Sequence, residues 1–391
     1  FIRFGEHFIE KNGEGVLGYI TNHSYLDNPT FKGMRWHLLK TFDTIYILDL
    51  HGNSNKKEVA PDGSQDVNVF DIKQGVSIII GVKTGGVDNK KLADVYHADV
   101  WGKRANKYAF LAESTLDKID WQKLDYRAPF YFFVPTNHAN TDEYQQGFGV
   151  NDLFPVNVTG IVTMGDSFAV DESKQKLWQR LEDFLAEDLT EAELKKKFGL
   201  GKNYAKYILS GKKDLTLDKQ KLVPIDYRPF DTRYTYFDNK ILWRWREKIM
   251  KHFLGGDNVG LMTMRQYAYD VPDYCYVLAS RNLVDNRTFV SSKGTCLYFP
   301  LYLHDEADGQ KRPNLDADIW AKLQKSAPAA KDPQAVFDYI YATLHSPAYR
   351  EKYAEFLKSD FPRIPYPTSN RQFTELAELG GYLRQLHLLE H

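Results

Sequence analysis

The stretch Gly15-Val16-Leu17-Gly18-Tyr19-Ile20-Thr21 is a short apolar run between an Asn-Gly turn and a polar segment. Such a run predicts a buried parallel strand. Apolar side chains at helical spacing follow from Phe31 to Phe42, and a second apolar run covers residues 44–50. A strand, a helix and a strand within about 35 residues predict a right-handed crossover unit of an α/β sheet. A third run at Val76–Val82 extends it, so residues 1–84 are predicted to form the later part of such a sheet.

Farther along the chain the pattern changes from α/β to short strands and then to helices. The predicted elements are a strand at 95–101, a helix at 104–114, a short strand between Pro129 and Pro135, a strand at 156–163, a charged helical stretch at 173–209, β-like runs at 224–303, and closing helices at 333–345, 348–358 and 371–388. This order predicts an α/β part followed by an α+β part with a helical tail.

The composition excludes several classes of protein. The 391 residues include 51 Lys and Arg against 52 Asp and Glu, which excludes a uniformly basic nucleic-acid coat but not a local basic patch. No apolar run approaches the roughly 20 residues of a membrane helix. Cys275 and Cys296 form no CxxC pair, so a disulfide framework and a cysteine zinc site are not expected, and a reducing cytoplasm fits. The aromatic residues, 14 % of the chain, are expected to fill a core.

Polar residues Asn22-His23-Ser24-Tyr25 follow directly on the first predicted strand. Ligands of open α/β sheets bind beyond the carboxyl ends of strands, so these side chains could line a site. A helix-capping loop explains them equally well. His23, His51 and His97 share no ligand spacing in the sequence, so we expect scattered histidines and no metal site.

The segment 224–294 interleaves basic and aromatic residues, with eleven Lys and Arg against eight Asp and Glu. Arginine can read guanine and glutamine can read adenine, and Arg and Lys neutralise phosphates. The alternative is a solvated β-surface with Arg–Asp pairs, such as Arg228 with Asp231. Residues alone do not separate these interpretations.

Several stretches together resemble the C-terminal part of type ISP restriction–modification enzymes. These stretches are Gly15–Leu26, Ile45–Asn53, Tyr227–Tyr236, Asn258–Gln266 and Phe337–Pro365. Members of that family are single-chain bacterial proteins that join a nuclease, a helicase-like ATPase, an adenine-specific DNA methyltransferase and a target-recognition domain. The resemblance covers essentially the whole chain.

The resemblance implies a partial Rossmann-like methyltransferase sheet, with its later strands only, followed by an α+β target-recognition domain and a helical C-terminal tail. Residues 1–148 would carry methyltransferase motifs V to VIII, at Gly18–Tyr25, Ile45–Asn53 and Val76–Thr84. Residues 149–330 would be the recognition domain, and 331–391 a helical tail packing on it. The S-adenosyl-L-methionine motif and the catalytic Asn-Pro-Pro-Tyr motif of the family lie upstream. Asp27-Asn28-Pro29-Thr30-Phe31 matches the latter only in part and is expected to start a helix.

The implied reaction needs the target adenine flipped out of the duplex and held by stacking. The resemblance implies a flipped-base pocket near Asn22, His23 and Ser24. The family often stacks an aromatic of motif VIII on the base; Val82 stands there, and Phe70 is the substitute. The expected DNA-binding residues are Arg228, Arg233, Arg244, Arg246, Arg265, Gln266 and Lys293. Some of them are expected to be structural, and Arg233 could instead form a buried pair with Asp231.

The expected partner is double-stranded DNA, together with the upstream methyltransferase half, helicase-like and nuclease domains of a longer bacterial cytoplasmic protein. The chain begins at Phe1 and ends Leu389-Glu390-His391, so we expect a fragment of a longer protein. Because the S-adenosyl-L-methionine and Asn-Pro-Pro-Tyr motifs of the family lie upstream, the resemblance implies that this fragment is inactive alone and binds no S-adenosyl-L-methionine. A truncated sheet has an open edge, so self-association through residues 1–84 is expected. Two alternatives remain: an aromatic-rich carbohydrate-binding β-domain, and a stand-alone DNA specificity protein without catalysis.

Overall fold

A computed structural model describes residues 1–55, 58–85, 91–267, 275–291, 294–304 and 310–390. The chain divides into two compact units, Phe1–Ala139 and Asn140–His391. Each unit buries its own apolar clusters, as independent domains do. The fold is a mixture of α-helices and several small sheets. None of the described helices is long and apolar enough to cross a membrane.

The first unit is built on a mixed sheet. Its strands are β1 (Gly15–Asn22), β2 (Thr44–Asp49), β3 (Val76–Lys83), β4 (Asp94–Asp99) and β5 (Gln122–Lys123), in the spatial order β1-β3-β2-β4-β5. Its helices are α1 (Ile2–Asn12), α2 (Ser24–Asp27), a 3-10 turn (Pro29–Phe31), α3 (Lys32–Thr41) and α4 (Arg104–Glu113). β3 is antiparallel to both β1 and β2, whereas β2 and β4 are parallel.

The four longer predicted strands of this unit are confirmed, but their pairing differs from the expectation. β1 and β2 run in the same direction with α3 between them in the chain, yet β3 lies between them in the sheet. The prediction of a buried parallel strand at residues 15–21 is wrong. β1 pairs only with β3 among the described residues, and its side chains alternate between half-buried and exposed. An edge strand with one uncovered face shows this alternation.

Two local expectations in this unit had opposite outcomes. Asn28 caps the 3-10 turn by accepting a hydrogen bond from the Thr30 N–H at 2.9 Å, and Pro29 occupies the first turn, which confirms a helix start. The run between Pro129 and Pro135 forms no strand, so that prediction is wrong. Phe133 there is buried and donates its N–H to Leu26 O at 2.9 Å. This apolar run therefore contributes Phe133 to the core and takes no part in a β-sheet.

The second unit combines short strands into several small sheets. The strands are β6 (Phe148–Gly149), β7 (Val158–Thr159), β8 (Val170–Asp171), β9 (Leu222–Arg228), β10 (Asp231–Tyr236), β11 (Gly260–Thr263), β12 (Val277–Ser280), β13 (Leu283–Val284), β14 (Leu297–Pro300), β15 (Tyr302–His304), β16 (Lys311–Pro313) and β17 (Arg363–Ile364). The two larger sheets have the orders β13-β9-β10-β8 and β12-β11-β14-β7. The predicted strand at 156–163 is reduced to Val158–Thr159.

The second unit also contains helices, most of them short. They are α5 (Thr141–Gln146), α6 (Val150–Leu153), α7 (Asp166–Ala169), α8 (Lys174–Ala186), α9 (Glu191–Phe198), α10 (Lys202–Gly211), α11 (Glu247–Met250), α12 (Ala317–Ser326), α13 (Pro333–His345), α14 (Pro347–Lys352), α15 (Ala354–Leu357) and α16 (Asn370–His387). The predicted charged helical stretch is three helices, because a capping box at Thr190 starts α9 and Gly199, in the left-handed region, ends it.

The closing helices at 333–345 and 371–388 are confirmed, whereas the predicted helix at 348–358 is divided into α14 and α15. These helices share the core with the strands. Phe337 and Ile340 of α13 belong to the same buried cluster as Leu278 of β12. α16 approaches α13 so closely that a Cβ on Gly380 would lie 1.9 Å from Asp338 O. The largest buried side chains confirm that the aromatic residues fill a core; they include Tyr204, Tyr236, Tyr276, Tyr298, Tyr339 and Tyr341.

Candidate nucleic-acid interface and buried histidine cluster

Two arginines of the β9–β10 hairpin lie against one aromatic ring. The guanidinium carbon of Arg228 is 3.9 Å from the centroid of the Tyr227 ring, and that of Arg233 is 4.3 Å from it. The Tyr227 hydroxyl donates a hydrogen bond to Asp166 Oδ2 at 2.7 Å. The ring is therefore fixed, and it orients both guanidinium groups.

Each of these arginines has a carboxylate partner. Arg233 holds Asp231 with two hydrogen bonds, Nε to Oδ1 at 3.0 Å and Nη2 to Oδ2 at 2.8 Å. The predicted pairing is confirmed, but the prediction that it is buried is wrong, because about a third of each side chain is exposed. The predicted pair of Arg228 with Asp231 is wrong, because Arg228 Nη1 bonds to Asp285 Oδ1 at 3.1 Å instead. Residues two apart in a strand share a face, which places Asp231 beside Arg233.

Asp285 is an unusual partner because it is almost fully buried. Burial raises its pKa to about 6, and the nearby carboxylate of Asp166 adds to this effect. The Arg287 backbone N–H and Arg228 act in the opposite direction. The ion pair with Arg228 is therefore weakened as Asp285 takes up a proton in mildly acidic solution.

Arg244 and Arg246 differ from the hairpin arginines, because neither has a carboxylate partner among the described residues. The backbone of Arg244 pairs with Val162, and its side chain is exposed. Arg246 Nη2 donates to Thr159 Oγ1 at 2.8 Å, while its buried Nε has no partner. Burial and the charge of Arg244 both lower the pKa of Arg246. Two uncompensated guanidinium groups create a positive potential suited to an anion.

Two further predicted DNA-binding residues of this unit, Arg265 and Gln266, have hydrogen-bond partners within the protein. Arg265 Nε donates to Asp360 Oδ1 at 2.7 Å, and Gln266 Nε2 donates to Lys358 O at 3.2 Å. Both sides of the Arg265 pair are substantially exposed, so water or a phosphate can replace Asp360 at little cost. Lys293 lies outside the described residues. Sequence reasoning missed Arg287, an exposed arginine two residues after Asp285.

In the first unit, the predicted pocket residues have different environments. Asn22 Oδ1 accepts the Ser24 N–H at 2.7 Å, which is a capping role. His23 is buried, and its Nδ1 lies 3.0 Å from Asp49 Oδ1. Phe70 is 42 % exposed, so its ring is available for stacking. Nothing in the structure tests whether Asn22, His23, Ser24 and Phe70 contact a flipped base, so their assignment to a pocket stays a prediction.

His23, His51 and His97 are not scattered, and that expectation is wrong. β1, β2 and β4 end at Asn22, Asp49 and Asp99, so the segments beyond them meet at one end of the sheet. Asp49 lies opposite Asp99 in the register of β2 and β4. The spacing of these histidines in the sequence does not predict the cluster, because strand pairing alone brings them together.

Hydrogen bonds connect the members of this cluster in pairs. His51 Nε2 lies 2.7 Å from Asp99 Oδ1, and the His51 ring stacks on Trp101. His23 Nε2 lies 3.1 Å from the Asn53 amide nitrogen. Burial acts to raise the pKa of Asp49, but the hydrogen bond with His23 and the proximity of His51 lower it overall. Burial lowers the pKa of His97, so its imidazole is neutral near pH 7.

Comparison with known proteins places the second unit in one family. The family model for the "Type ISP C-terminal specificity domain" matches residues 152–391. No curated protein matches the chain. The chain aligns with a protein in the cryo-EM structure of the DrdV–DNA complex, with a TM-score of 0.71 and 24 % identity, over 99 % of this chain and 39 % of that one.

Two type ISP restriction–modification enzymes are also similar in structure. One is a nuclease-deletion mutant of LlaGI in complex with a DNA substrate mimic (TM-score 0.65, 21 % identity, 99 % of this chain and 36 % of that one). The other is the ATP-dependent enzyme LlaBIII bound to DNA (TM-score 0.68, 19 % identity, 99 % and 26 %). At these identities the likeness shows the fold, and the chain spans less than two fifths of each relative.

Proposed function

The chain belongs to the family of type ISP C-terminal specificity domains, and from this premise we propose that it reads a DNA target sequence within a restriction–modification enzyme. The observation that carries the proposal is the pair Arg244 and Arg246, which lies in the matched region and has no carboxylate partner among the described residues. The similar structures of DrdV, LlaGI and LlaBIII are complexes with DNA or a DNA mimic.

We assign Arg244 and Arg246 to phosphate contacts. An exposed guanidinium beside a half-buried one attracts an anion, and phosphate contacts fix a protein's register on the duplex. Arg265 and Arg287, two further exposed arginines of the same unit, are additional candidates for phosphate contacts. Arg228 and Arg233 are held by carboxylates and by Tyr227, so we assign them a base-reading or supporting role that needs fixed geometry.

The finer proposal is that the enzyme methylates the amino group of adenine. The first unit would supply the later strands of a Rossmann-like methyltransferase sheet, and Phe70 would stack on the flipped base near Asn22, His23 and Ser24. The strand ends of this unit carry buried His and Asp side chains rather than a glycine-rich loop among the described residues, which supports our expectation that this part of the enzyme binds no S-adenosyl-L-methionine by itself. Methyl transfer would need the upstream half of a longer cytoplasmic protein.

The decisive experiment is selection from a randomised duplex pool, followed by binding across a salt series. We expect a converged short site that contains adenine, with an affinity that falls steeply with salt as counterions are released. Binding without convergence would reduce the proposal to phosphate contacts. An absence of binding at low salt would overturn it. Glycan binding that is insensitive to salt would support the carbohydrate-binding alternative instead.

The variant Arg244→Ala tests the phosphate assignment. We expect about a tenfold loss of affinity, equivalent to about 1.4 kcal/mol. The slope of log affinity against log salt should fall by about 0.9 for one lost phosphate contact. Arg371→Ala is the matched control, because Arg371 is exposed in the same unit and pairs with Glu375 on its own helix. An unchanged salt slope in the Arg244 variant would remove this residue from the interface.

We further propose that the β1 edge associates with other protein strands, either the upstream half of the enzyme or a second copy of this chain. Val16 and Ile20 are exposed on β1, and Phe4 and Phe8 are exposed on α1. An unpaired edge with apolar side chains is a template for pairing. We expect a light-scattering mass above that of the monomer at high concentration, and a monomer for Val16→Lys. A monomer at every concentration would exclude self-association.

A further inference from the structure

The buried cluster at the strand ends of the first unit contains three side chains in a geometry that suits a metal. One ligand atom from each of His23, Asp49 and His51 lies within 4.8 Å of the others. One oxygen of the carboxylate, Asp49 Oδ2, lies 3.3 Å from His23 Nδ1 and 3.7 Å from His51 Nδ1. Ligands about 2.1 Å from a tetrahedral zinc ion lie about 3.4 Å apart, between these two distances.

The outer contacts also match a metal site. A histidine that ligates a metal donates its other ring N–H to a carboxylate or carbonyl group, which fixes the ring. His51 Nε2 lies 2.7 Å from Asp99 Oδ1, so Nδ1 is left to face Asp49. His23 Nε2 has Asn53 at 3.1 Å and Glu58 Oε1 at 3.9 Å. A half-turn of the Asn53 amide would present its oxygen to a Nε2–H group.

One close contact within the cluster is not a hydrogen bond. The 3.7 Å between His51 Nδ1 and Asp49 Oδ2 is too long for a hydrogen bond. A second trio, formed by Asp49, His97 and Asp99, shares the central carboxylate. His97 Nε2 in that trio is buried and has no hydrogen-bond partner. Buried polar atoms without partners are uncommon in folded proteins and call for an explanation.

We propose that His23, Asp49 and His51 form a three-ligand site for a divalent transition metal of the zinc class. Two imidazole nitrogens favour such an ion over Mg²⁺ or Ca²⁺, which prefer oxygen ligands. Three protein ligands leave a fourth position open. The ion would fasten the segments that follow β1 and β2. This inference does not rest on the arginine interface of the second unit, since it uses residues of the first unit alone.

The test uses the whole chain without a histidine tag, stripped with a chelator and titrated with Co²⁺ and then Zn²⁺. We expect one Co²⁺ per chain with the visible absorption of a tetrahedral site, displaced by Zn²⁺. X-ray absorption of the zinc-loaded wild-type protein should show two imidazole ligands and oxygen ligands, the set that His23, Asp49 and His51 would supply. This readout needs no variant that could fail to fold.

Variants then locate the ligands. Asp49→Asn and His51→Ala should abolish stoichiometric uptake, and Asp99→Asn should weaken it by about 10- to 100-fold as an outer-contact change. His37→Ala is the matched control, because His37 is exposed on α3 of the same unit and should leave uptake unchanged. Absence of stoichiometric uptake by the wild-type chain overturns the proposal. So does uptake that is unchanged by Asp49→Asn and His51→Ala, or an absorption spectrum of the zinc-loaded protein that lacks two imidazole ligands.

Discussion

Charged side chains at the strand ends of the first unit are buried, whereas those of the arginine hairpin of the second unit are partly exposed to solvent. Lys107 and Asp66 of the first unit form an ion pair at 2.6 Å with both side chains excluded from water. Arg233 and Asp231 of the hairpin form a pair at 2.8 Å in which about a third of each side chain is exposed. Both pairs join a basic side chain to an aspartate at a similar distance, but only the hairpin pair is accessible to solvent.

This difference separates charges that hold the fold from charges that can meet a ligand. A buried ion cannot exchange its partner without a large desolvation cost, whereas an exposed ion can exchange it for water or phosphate. The first unit is therefore suited to a fixed internal site. The second unit can offer its arginines to an anionic polymer.

The largest effect is expected from breaking the buried pair with Lys107→Met. Lys107 Nζ also donates to Leu50 O at 2.7 Å, directly after β2. The variant leaves the Asp66 carboxylate buried without its counter-ion, so the free energy of unfolding should fall by about 3–5 kcal/mol. Urea denaturation followed by tryptophan fluorescence measures this.

Lys118→Met is the control for that prediction, because Lys118 is exposed in the same unit. Its unfolding free energy should stay within about 0.5 kcal/mol of the wild type. If Lys107→Met cost no more than this control, the charge at Lys107 would not hold the unit together. A buried charge would then contribute no more to the free energy of unfolding than an exposed one, contrary to the difference drawn between the two regions.

A smaller effect is expected from Asp285, the buried acid beside the hairpin. Its folded pKa of about 6 lies above that of an exposed aspartate. Between about pH 4 and pH 6 the folded chain keeps a proton that the unfolded chain releases, so stability falls as the pH rises through this window. The contribution of Asp285 is on the order of 2 kcal/mol and is constant above the window.

Asp285→Asn should remove this contribution from the pH dependence. Asp338 also has a pKa raised by burial, so the variant flattens the stability profile only in part. The difference in unfolding free energy between variant and wild type should change by about 2 kcal/mol from pH 4 to pH 7 in favour of the variant. Parallel profiles for the two proteins would show that Asp285 is ionised throughout.

The sequence was sufficient to predict elements and some local pairs. β2 was predicted almost to its boundaries because its apolar run is continuous, and α13 because Pro333 marks its first turn. The pair of Arg233 with Asp231 was predictable, since two residues on one strand face share a neighbourhood. The type ISP resemblance is confirmed by the family match over residues 152–391.

The sequence was not sufficient to predict contacts that depend on strand order. Nothing near Arg228 in the chain identifies Asp285 as its partner, 57 residues away. Nothing near His23 identifies Asp49, since the two meet only when β1 and β2 are placed on either side of β3. Hydrophobic period predicts which residues form a strand but carries little information on which strand lies next to it.

The smallest effect is expected from the exposed hairpin pair, tested by a double-mutant cycle with Arg233→Ala and Asp231→Ala. The coupling free energy should be below about 1 kcal/mol and should shrink further in high salt, because solvent screens both groups. The cycle is measured by urea denaturation at two salt concentrations.

A salt-independent coupling above about 2 kcal/mol would mean that the pair behaves like a buried one. A small coupling would mean that Arg233 can leave Asp231 for a phosphate or a base edge at little cost. The carboxylates of the hairpin would then orient the arginines for DNA without withholding them from it.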